Sequence, residues 1–205
     1  MTLYHVSIGL FKIIHLWDCL PTMKKLPRSF YKRDTVTVAK QLLGKYLVHH
    51  ANGQEQIGRI VEVEAYLGAH DLASHSSKGM TDRTKIMFGP AGYAYVYLVY
   101  GMYYCMNVVT EKEGQGSAVL IRAIEPIKNI VLRTQGPGLL CRAMHIDKRL
   151  NGHDLLSDNF YVAEENKSTR LMIVKKRRIG VDYAAHWAKR LLRFYISNNC
   201  FVSRK

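Results

Sequence analysis

A run of alternating residues around a single glycine constrains the fold more than any other feature of the sequence. The segment YAYVYLVYGMYYCMN, residues 93–107, contains six of the chain's 13 tyrosines. Apolar residues alternate on both sides of the Tyr100-Gly101-Met102 break, a pattern typical of two β-strands joined by a tight turn. The pattern therefore predicts a β-hairpin with Tyr100 at its tip, which is no place for a core side chain.

The rest of the chain predicts further strands with a few helices between them. The clearest strand is IGRIVEVEAYL, residues 57–67, in which apolar residues alternate with Glu62, Glu64 and Tyr66. Other predicted elements are a helix over 35–44 capped by Asp34, a strand over 45–50, a long structured loop over 68–92, a strand over 117–126 stopped by Pro126, a helix beginning at Pro137, a helix over 182–192 and a strand over 193–196. Sequential strands joined by turns predict an α+β fold with an antiparallel sheet.

The charge balance favours a polyanionic partner. The 205 residues carry a formal net charge of +14 and a pI near 9.7. Nucleic acid is the first candidate and an anionic membrane surface the second, while a merely basic soluble protein is an equal alternative. No apolar run reaches the length of a membrane span. Four widely spaced cysteines without a CxxC pair argue against a zinc knuckle and fit reduced thiols in a cytosolic protein.

The first 22 residues read differently from the remainder. They are mildly apolar but interrupted by charged residues and histidines, and they lack the basic region and the small-residue cleavage site of a signal peptide. Met23 opens a more conventional start, MKKLPRSFYKRD. We therefore expect residues 1–22 to be a disordered extension or an over-called start, with an anchoring helix as the weaker alternative, and residues 23–205 to form one domain.

Glu62 and Glu64 are candidate functional carboxylates. They lie two apart on a strand and so point the same way, together with Tyr66. A solvated strand face, a general base beside aromatic surface and a metal-binding carboxylate pair are three interpretations of this pattern. Arg122 interrupts the apolar run AVLIRAIEP and is expected to pair with Glu64 or Glu62, either as part of a site or as a structural ion pair.

Other candidates come from the loop, the hairpin and a basic run. His75, like His70, lies in the 68–92 loop, and Asn107 shares strand parity with Tyr97. KKRRIG, residues 175–180, is either a solvated face or a set of phosphate contacts. Together these residues suggest a hypothesis in which a tyrosine wedge opens a duplex, aromatic side chains sandwich a flipped base, and Glu64 activates a water molecule.

The sequence resembles the alkyladenine (3-methyladenine) DNA glycosylases of the type found in mammals and many bacteria. The resemblance runs from about Phe30 to Val202 and rests on motifs in the family's order. These motifs are RIVEVEAYLG, ASHS, YVYLVYGMYYCMNVV, VLIRAIEP, QGPGLLCRAM and RIGVDYAAHWAKRLLRFYI. The resemblance implies a single-domain mixed fold with a curved antiparallel sheet, in which a protruding β-hairpin enters the DNA minor groove and flips a damaged purine nucleotide.

The resemblance also implies roles for individual residues. Glu64 matches the carboxylate that deprotonates the attacking water, Arg122 helps to hold this water, and Ile179 does so through its backbone carbonyl. The implied pocket consists of Tyr66 on one face of the base, His75 and Tyr97 on the other, the backbone of Ala73 and His75 at the base edge, and Asn107 as the side chain that disfavours guanine. Tyr100, with Met102 beside it, matches the intercalating tip, and Lys175, Lys176, Arg177 and Arg178 are the expected phosphate contacts.

The implied activity is that of a monofunctional glycosylase in base excision repair. It would remove alkylated or deaminated purines such as 3-methyladenine, 7-methylguanine and hypoxanthine without a cofactor or metal, and the catalytic motif has no lysine for a Schiff base. The expected partner is double-stranded DNA with damaged purines, bound by a monomer without membrane association. The expected location is the bacterial cytoplasm, on the nucleoid, or the nucleus in a eukaryote.

The sequence departs from the family's pattern in two places. The segment after Pro126 is shorter than the family's helical arm, and Leu192 stands where proline is common. The first departure keeps open a damaged-DNA-binding protein that lacks catalysis. A metal-dependent nuclease built on Glu62 and Glu64 is a further alternative.

Overall fold

Antiparallel strand pairing organises the whole chain. The computed structural model describes residues 23–166 and 170–205, and the predicted extension over 1–22 lies outside them. The strands are β1 (Met23–Lys25), β2 (Tyr46–Ala51), β3 (Gln54–Leu67), β4 (Ala94–Val99), β5 (Tyr103–Thr110), β6 (Ser117–Lys128), β7 (Phe160–Glu165), β8 (Ile173–Lys176) and β9 (Arg193–Ile196). Their order is β1-β7-β2-β3-β6-β5-β4, with β9 also pairing with β3 and β8 pairing with β9. The predicted α+β class and antiparallel sheet are confirmed.

Helices are short and few. The described residues contain the α-helices α1 (Arg28–Tyr31), α2 (Thr35–Leu42) and α3 (Pro137–Ala143), and 3₁₀-helices over His75–Lys78, Lys85–Phe88, Lys148–Leu150 and Ala185–Lys189. The side chain of Asp34 accepts a hydrogen bond from the Thr37 backbone N–H at 2.8 Å, which confirms the predicted N-cap of α2. None of the helices in this part of the chain is long and apolar enough to cross a membrane.

Strand β3 is the central element of the sheet. One edge pairs with β6 along most of its length, and the other edge pairs first with β2 and then, at Glu62–Glu64, with β9. Register shifts around Glu62 mark a bulge where the partner strand changes. The middle of β3 is thus covered on both edges, and both glutamates are fully buried. A solvated strand face, one of the three interpretations of the sequence, is therefore wrong for Glu62 and Glu64.

The register assigns the site residues to one face of the sheet. Residues directly opposite each other in paired strands share a face. Glu64 lies opposite Leu120 of β6, which in turn lies opposite Asn107 of β5. On the other face, Val63 lies opposite the buried Phe194, in the main hydrophobic core. One face of the sheet is therefore available for a site, and the other is committed to packing.

The tyrosine-rich hairpin has the predicted geometry. Tyr100 and Gly101 adopt positive φ angles of 53° and 70°, and the Met102 N–H donates to the Val99 carbonyl at 3.2 Å. These angles are those of a type I′ turn, whose twist matches that of the flanking strands. The side chain of Tyr100 is 89% exposed at the tip.

Two predicted element boundaries are wrong. Pro126 does not stop β6, which continues to Lys128, because Pro126 lies opposite Gly58 beside a bulge and β5 pairs only with the first residues of β6. A proline without an N–H is tolerated at such an irregular position. The predicted helix over 182–192 is reduced to the 3₁₀-helix Ala185–Lys189, because Ala185 has a φ of 48° and Arg190 is extended.

Candidate active site

Glu64 lies at the centre of the site, on the available face of β3. Its Oε1 accepts a hydrogen bond from the Ile179 backbone N–H at 2.8 Å, and its Oε2 accepts one from the Tyr66 hydroxyl at 2.9 Å. The Arg122 Nη1 lies 3.3 Å from Oε1. Burial raises the pKa of Glu64, and this effect outweighs the opposing influence of Arg122, Ile179 and Tyr66. Glu64 is thus a carboxylate with more than ordinary basicity in a fixed orientation.

Arg122 lies between the two buried glutamates. In addition to its contact with Glu64, it donates from Nε to the Glu62 Oε1 at 3.2 Å. The predicted pairing of Arg122 with Glu64 or Glu62 is confirmed for both partners. A guanidinium between two carboxylates repels a cation, so this arrangement does not favour the metal-binding carboxylate pair. Among the residues that the structure describes, no group of three or more His, Cys, Asp or Glu side chains is placed to hold a metal ion.

A pocket of about 470 Å³ opens beside this cluster. That volume lies in the range of small-molecule binding sites. The walls bring together eight of the residues that the sequence singled out, namely Tyr66, Ala73, His75, Tyr97, Tyr100, Asn107, Arg122 and Ile179. Glu64 lies behind Tyr66 and Ile179, in hydrogen-bond contact with both. Met102 lines a different cavity, beside Tyr103 and α3.

The aromatic wall of the pocket is built on β4 and the first 3₁₀-helix of the long loop. The rings of His75 and Tyr97 meet edge to face with centroids 4.5 Å apart. His75 Nδ1 lies 3.0 Å from the Tyr95 hydroxyl. Burial, and secondarily the charge of Arg83, lowers the pKa of His75 to about 4. The imidazole is therefore neutral at physiological pH, and the Tyr95 hydroxyl fixes its orientation.

Tyr95 was not among the predicted site residues. It is buried in a small hydrophobic cluster separate from the main core. Its hydroxyl nevertheless contacts His75, and its carbonyl accepts a hydrogen bond from Asn107 Nδ2 at 3.1 Å. The alternation of the strand, which places Tyr95 on the face of Tyr97 and Asn107, was the available signal.

A buried ion pair that the sequence did not reveal holds the loop against the sheet. Asp71 accepts two hydrogen bonds from the Arg178 guanidinium, the longer at 2.8 Å, and both side chains are completely buried. Asp71 also accepts from the backbone N–H groups of Leu67 and Ala73. Arg178 donates to the Ala65 carbonyl and lies 4.7 Å from the centre of the Tyr66 ring. This pair thus ties Ala73 of the loop to the strand that carries Tyr66, and both residues line the pocket.

The prediction that Arg178 contacts a phosphate is wrong, because Arg178 is used in this ion pair. The side chain of Arg178 points into the protein, so it does not meet a phosphate, and the expectation fails because the isolated charge of Asp71 recruits it. Lys175, Lys176 and Arg177 are exposed, and their predicted role stays a prediction. The backbone of Ala73, which was predicted to contact the edge of the base, already has partners within the protein. Its N–H donates to Asp71, and its carbonyl accepts a hydrogen bond from the Tyr183 hydroxyl at 3.3 Å.

Comparison with known proteins decides the family. A model of the family described as Methylpurine-DNA glycosylase (MPG) matches residues 29–200. The chain belongs to this family. The resemblance recognised in the sequence motifs is confirmed, and with it the assignment to the DNA glycosylases.

Bacterial relatives match across nearly their whole lengths. A protein of Legionella pneumophila (strain Corby) is 72% identical over 182 residues, which cover 89% of this chain and 100% of the relative. A protein of Anaeromyxobacter sp. (strain Fw109-5) is 55% identical and covers 88% and 93% of the two chains. A protein of Desulfitobacterium hafniense (strain Y51) is 47% identical and covers 89% and 100%. All three carry the name "Putative 3-methyladenine DNA glycosylase".

Proposed function

We propose that this protein hydrolyses the N-glycosidic bond of 3-methyladenine and related alkylated or deaminated purines in DNA, as a monofunctional glycosylase of base excision repair. The observation that carries the proposal is the position of Glu64, a buried carboxylate of raised pKa directly behind Tyr66 and Ile179 in the wall of an aromatic pocket. The substrate class extends to 7-methylguanine and hypoxanthine, because the pocket grips a purine mainly by stacking.

The flipped base would lie between Tyr66 and the His75–Tyr97 pair. Glu64 would then take a proton from a water molecule as the water oxygen bonds to C1′ of the sugar and the bond from C1′ to the base nitrogen breaks. An alkylated purine that carries a positive charge leaves as a neutral base and needs no proton. A neutral purine such as hypoxanthine keeps the electron pair of the broken bond and would take up a proton from solvent water as it leaves. Arg122 stabilises the ionised form of Glu64 and, with the backbone of Ile179, would fix the water.

Tyr100 would enter the duplex at the site of the flipped nucleotide. Its ring is exposed at the end of a protruding turn and also borders the pocket, so it can fill the gap in the stack while the base occupies the pocket. Exposed cations on the same side of the molecule would meet the phosphates of double-stranded DNA. The protein would act as a monomer on bacterial chromosomal DNA in the cytoplasm.

The two alternative functions have less support. A damaged-DNA binder without catalysis would have no reason to keep a carboxylate buried at a cost in stability, paired with Arg122 and aligned by Ile179. A metal-dependent nuclease would need Glu62 and Glu64 to share a cation, and they share the Arg122 guanidinium instead.

The decisive experiment measures release of the damaged base from oligonucleotides that carry 3-methyladenine, 7-methylguanine, hypoxanthine or ethenoadenine, with EDTA present. The wild type should release bases, and Glu64→Gln should lose roughly 100- to 10,000-fold in single-turnover rate, the usual contribution of a general base. Binding of Glu64→Gln to damaged duplex should stay within a few-fold of wild type.

A matched control separates this role from general effects of a lost carboxylate. Glu125 lies on β6, pairs with Arg59 at 3.3 Å and is outside the pocket. Glu125→Gln should keep the wild-type rate. Normal base release by Glu64→Gln would show that another group activates the water, and loss of all activity in EDTA would favour the nuclease alternative.

A further inference from the structure

Glu62, the second buried glutamate of β3, has no part in the chemistry proposed above, yet it is fully buried and has three partners. Its Oε1 accepts hydrogen bonds from Arg122 Nε at 3.2 Å and from Arg193 Nη1 at 2.8 Å. Its Oε2 accepts one from the Ser203 backbone N–H at 2.7 Å. A charged group that makes contacts from both oxygens to three separate segments has a fixed position.

Arg193, which binds Glu62, also binds two backbone carbonyls in other segments of the chain. Its Nε donates to the Arg177 carbonyl at 2.9 Å, and its Nη1 also donates to the Arg204 carbonyl at 2.6 Å. Arg177 is two residues before Ile179, whose N–H holds Glu64. Arg193 thus connects Glu62 to the segment that orients the candidate catalytic carboxylate, and to the carbonyl of Arg204 next to Ser203.

The four charged side chains form a row in which the two negative and the two positive charges balance. Two carboxylates, Glu62 and Glu64, alternate with two guanidiniums, Arg122 and Arg193, and each of the four side chains is at most 8% exposed. The Arg122 contact with Glu62 is a hydrogen bond, whereas its contact with Glu64 is a charge contact at 3.3 Å. Arg122 is therefore anchored by Glu62 and only directed at Glu64.

We propose that Glu62 is a positioning residue of the active site, held by Arg193 and the Ser203 N–H, which keeps Arg122 beside Glu64 without letting it close fully onto that carboxylate. This inference rests on the glycosylase function proposed above. Without the anchor, Arg122 would move toward Glu64, the nearest remaining negative charge, and would occupy the side of the carboxylate that a water molecule needs.

The position of Glu62 also has an electrostatic effect on Glu64. Its negative charge is one of the influences that raise the pKa of Glu64, after the larger effect of burial. The titratable and charged groups that face Glu64 from the surrounding strands are Glu62 and Tyr66 of β3, Tyr97 of β4, Cys105 of β5, Arg122 of β6 and Arg193 of β9. Glu62 is the only other carboxylate in that set, so its neutralisation lowers the pKa of Glu64.

The test compares wild type with Glu62→Gln, a substitution of nearly the same shape. The rate of single-turnover base release should fall by roughly 10- to 100-fold, as expected when the Arg122 guanidinium moves by about 1 Å. The acidic limb of the pH–rate profile should move to lower pH, because Glu64 loses a neighbouring negative charge and gains a closer guanidinium. The dissociation constant for damaged duplex should change less than three-fold.

A residue that only stabilised the fold would behave differently. Glu62→Gln would then unfold at a lower temperature, but its rate and pH profile at 25 °C would match those of the wild type, and that result would overturn the proposal. Glu125→Gln again serves as the control, because it removes one carboxylate from the neighbouring strand without contact with Arg122 or Glu64.

A second pair of variants keeps the test valid if Glu62→Gln does not fold. Ser203→Pro removes the backbone N–H that holds the Glu62 Oε2 and should reproduce a weaker form of the same shift in rate and pH profile. Ser203→Ala keeps this N–H and removes a hydroxyl without a hydrogen-bond partner, so it should behave as wild type. Equal behaviour of the two Ser203 variants would contradict the role of the anchor.

The two levels of inference can fail separately. If wild-type protein releases no base from any of the four lesions, the proposed function fails. If the wild type is active and Glu62→Gln matches it in rate and in pH dependence, the glycosylase assignment stands and only the role of Glu62 is wrong.

Discussion

Tyr100 combines a left-handed backbone with a side chain that has almost no contact with the protein. A non-glycine residue at φ 53° costs about 1–2 kcal/mol relative to glycine. The backbone angle serves the hairpin turn, but glycine or asparagine would serve it at a lower cost, and the tyrosine ring adds almost no packing because it is 89% exposed. A costly residue whose side chain adds no packing is typical of functional positions. The ring is therefore best explained by a partner outside the protein.

Substitution of Tyr100 should weaken binding without harming the fold. Tyr100→Ala should reduce affinity for damaged duplex by about 1–3 kcal/mol, the usual value of one base–aromatic stacking contact. Tyr100→Gly should lose the same affinity but gain up to about 1 kcal/mol in free energy of unfolding, because glycine accepts the positive φ. Affinity is measured by fluorescence anisotropy and stability by urea unfolding.

The control for this prediction is Tyr100→Phe, which keeps the stacking surface and should bind like the wild type. An affinity of Tyr100→Ala equal to that of the wild type would exclude intercalation by this side chain. A loss shared equally by Ala and Phe variants would instead assign the effect to the hydroxyl group.

The raised pKa of Glu64 predicts where activity is lost in acid. A general base must be ionised, so the single-turnover rate should rise with pH through the folded-state pKa of Glu64, which burial places above the ordinary value of 4.5. His75, with its pKa lowered to about 4, adds no second step near neutrality. A rate profile that is flat down to pH 4.5 would contradict the assignment of Glu64 as the base.

At the scale of elements, strands were predictable and the late helix was not. The strand over residues 57–67 and the hairpin turn could be predicted because the alternation of side chains and the geometry of a tight turn depend only on a few neighbouring residues. DYAAHWAKRLL has helical composition, yet only Ala185–Lys189 is helical. Tertiary contacts override propensity there, with Trp187 buried in the core and Leu192 bonded back to Ala65.

The residues of the candidate site likewise differ in whether a local sequence pattern could reveal them. Glu64, Arg122 and the tyrosines could be found because each breaks or repeats a pattern within its own strand. Arg178 and Asp71 could not be paired, since they are 107 residues apart and neither has a local pattern that names the other. A run of basic residues predicts exposed side chains, and only the folded structure shows that Arg178 is the one that points into the protein.

The Asp71–Arg178 pair should be the main support of the long loop. Asp71→Asn leaves the buried Arg178 charge uncompensated and should cost about 3–5 kcal/mol in free energy of unfolding. Local loosening should appear first as faster amide exchange over residues 68–92, because Asp71 also holds the Ala73 N–H. Urea unfolding and hydrogen exchange measure the two effects.

Asp82→Asn is the matched control in the same loop. Asp82 is exposed and pairs with Lys85 at 3.4 Å, so its neutralisation should leave both stability and exchange unchanged. If Asp71→Asn were as stable as Asp82→Asn, the buried pair would not be what holds the loop.

At the scale of the whole molecule, the two faces of the sheet divide binding from packing. The pocket, the buried charges and the hairpin tip belong to one side, and the residues around Phe194 belong to the other. The net charge of +14 predicts a polyanion but not where it binds. The strand register supplies this information: Lys176 lies opposite Arg193, on the face of Glu64, whereas Lys175 lies opposite Phe194.

Two adjacent lysines therefore predict different responses to salt. In a plot of log binding constant against log salt concentration, one lost phosphate contact reduces the slope by about 0.9. Lys176→Ala should show this change for damaged and undamaged duplex alike, since a phosphate contact carries no information about the base. Lys175→Ala removes the same charge from the opposite face and should leave the slope at the wild-type value. Equal changes in both variants would mean that the exposed run acts as a diffuse positive charge, and that the register does not place DNA on the pocket face.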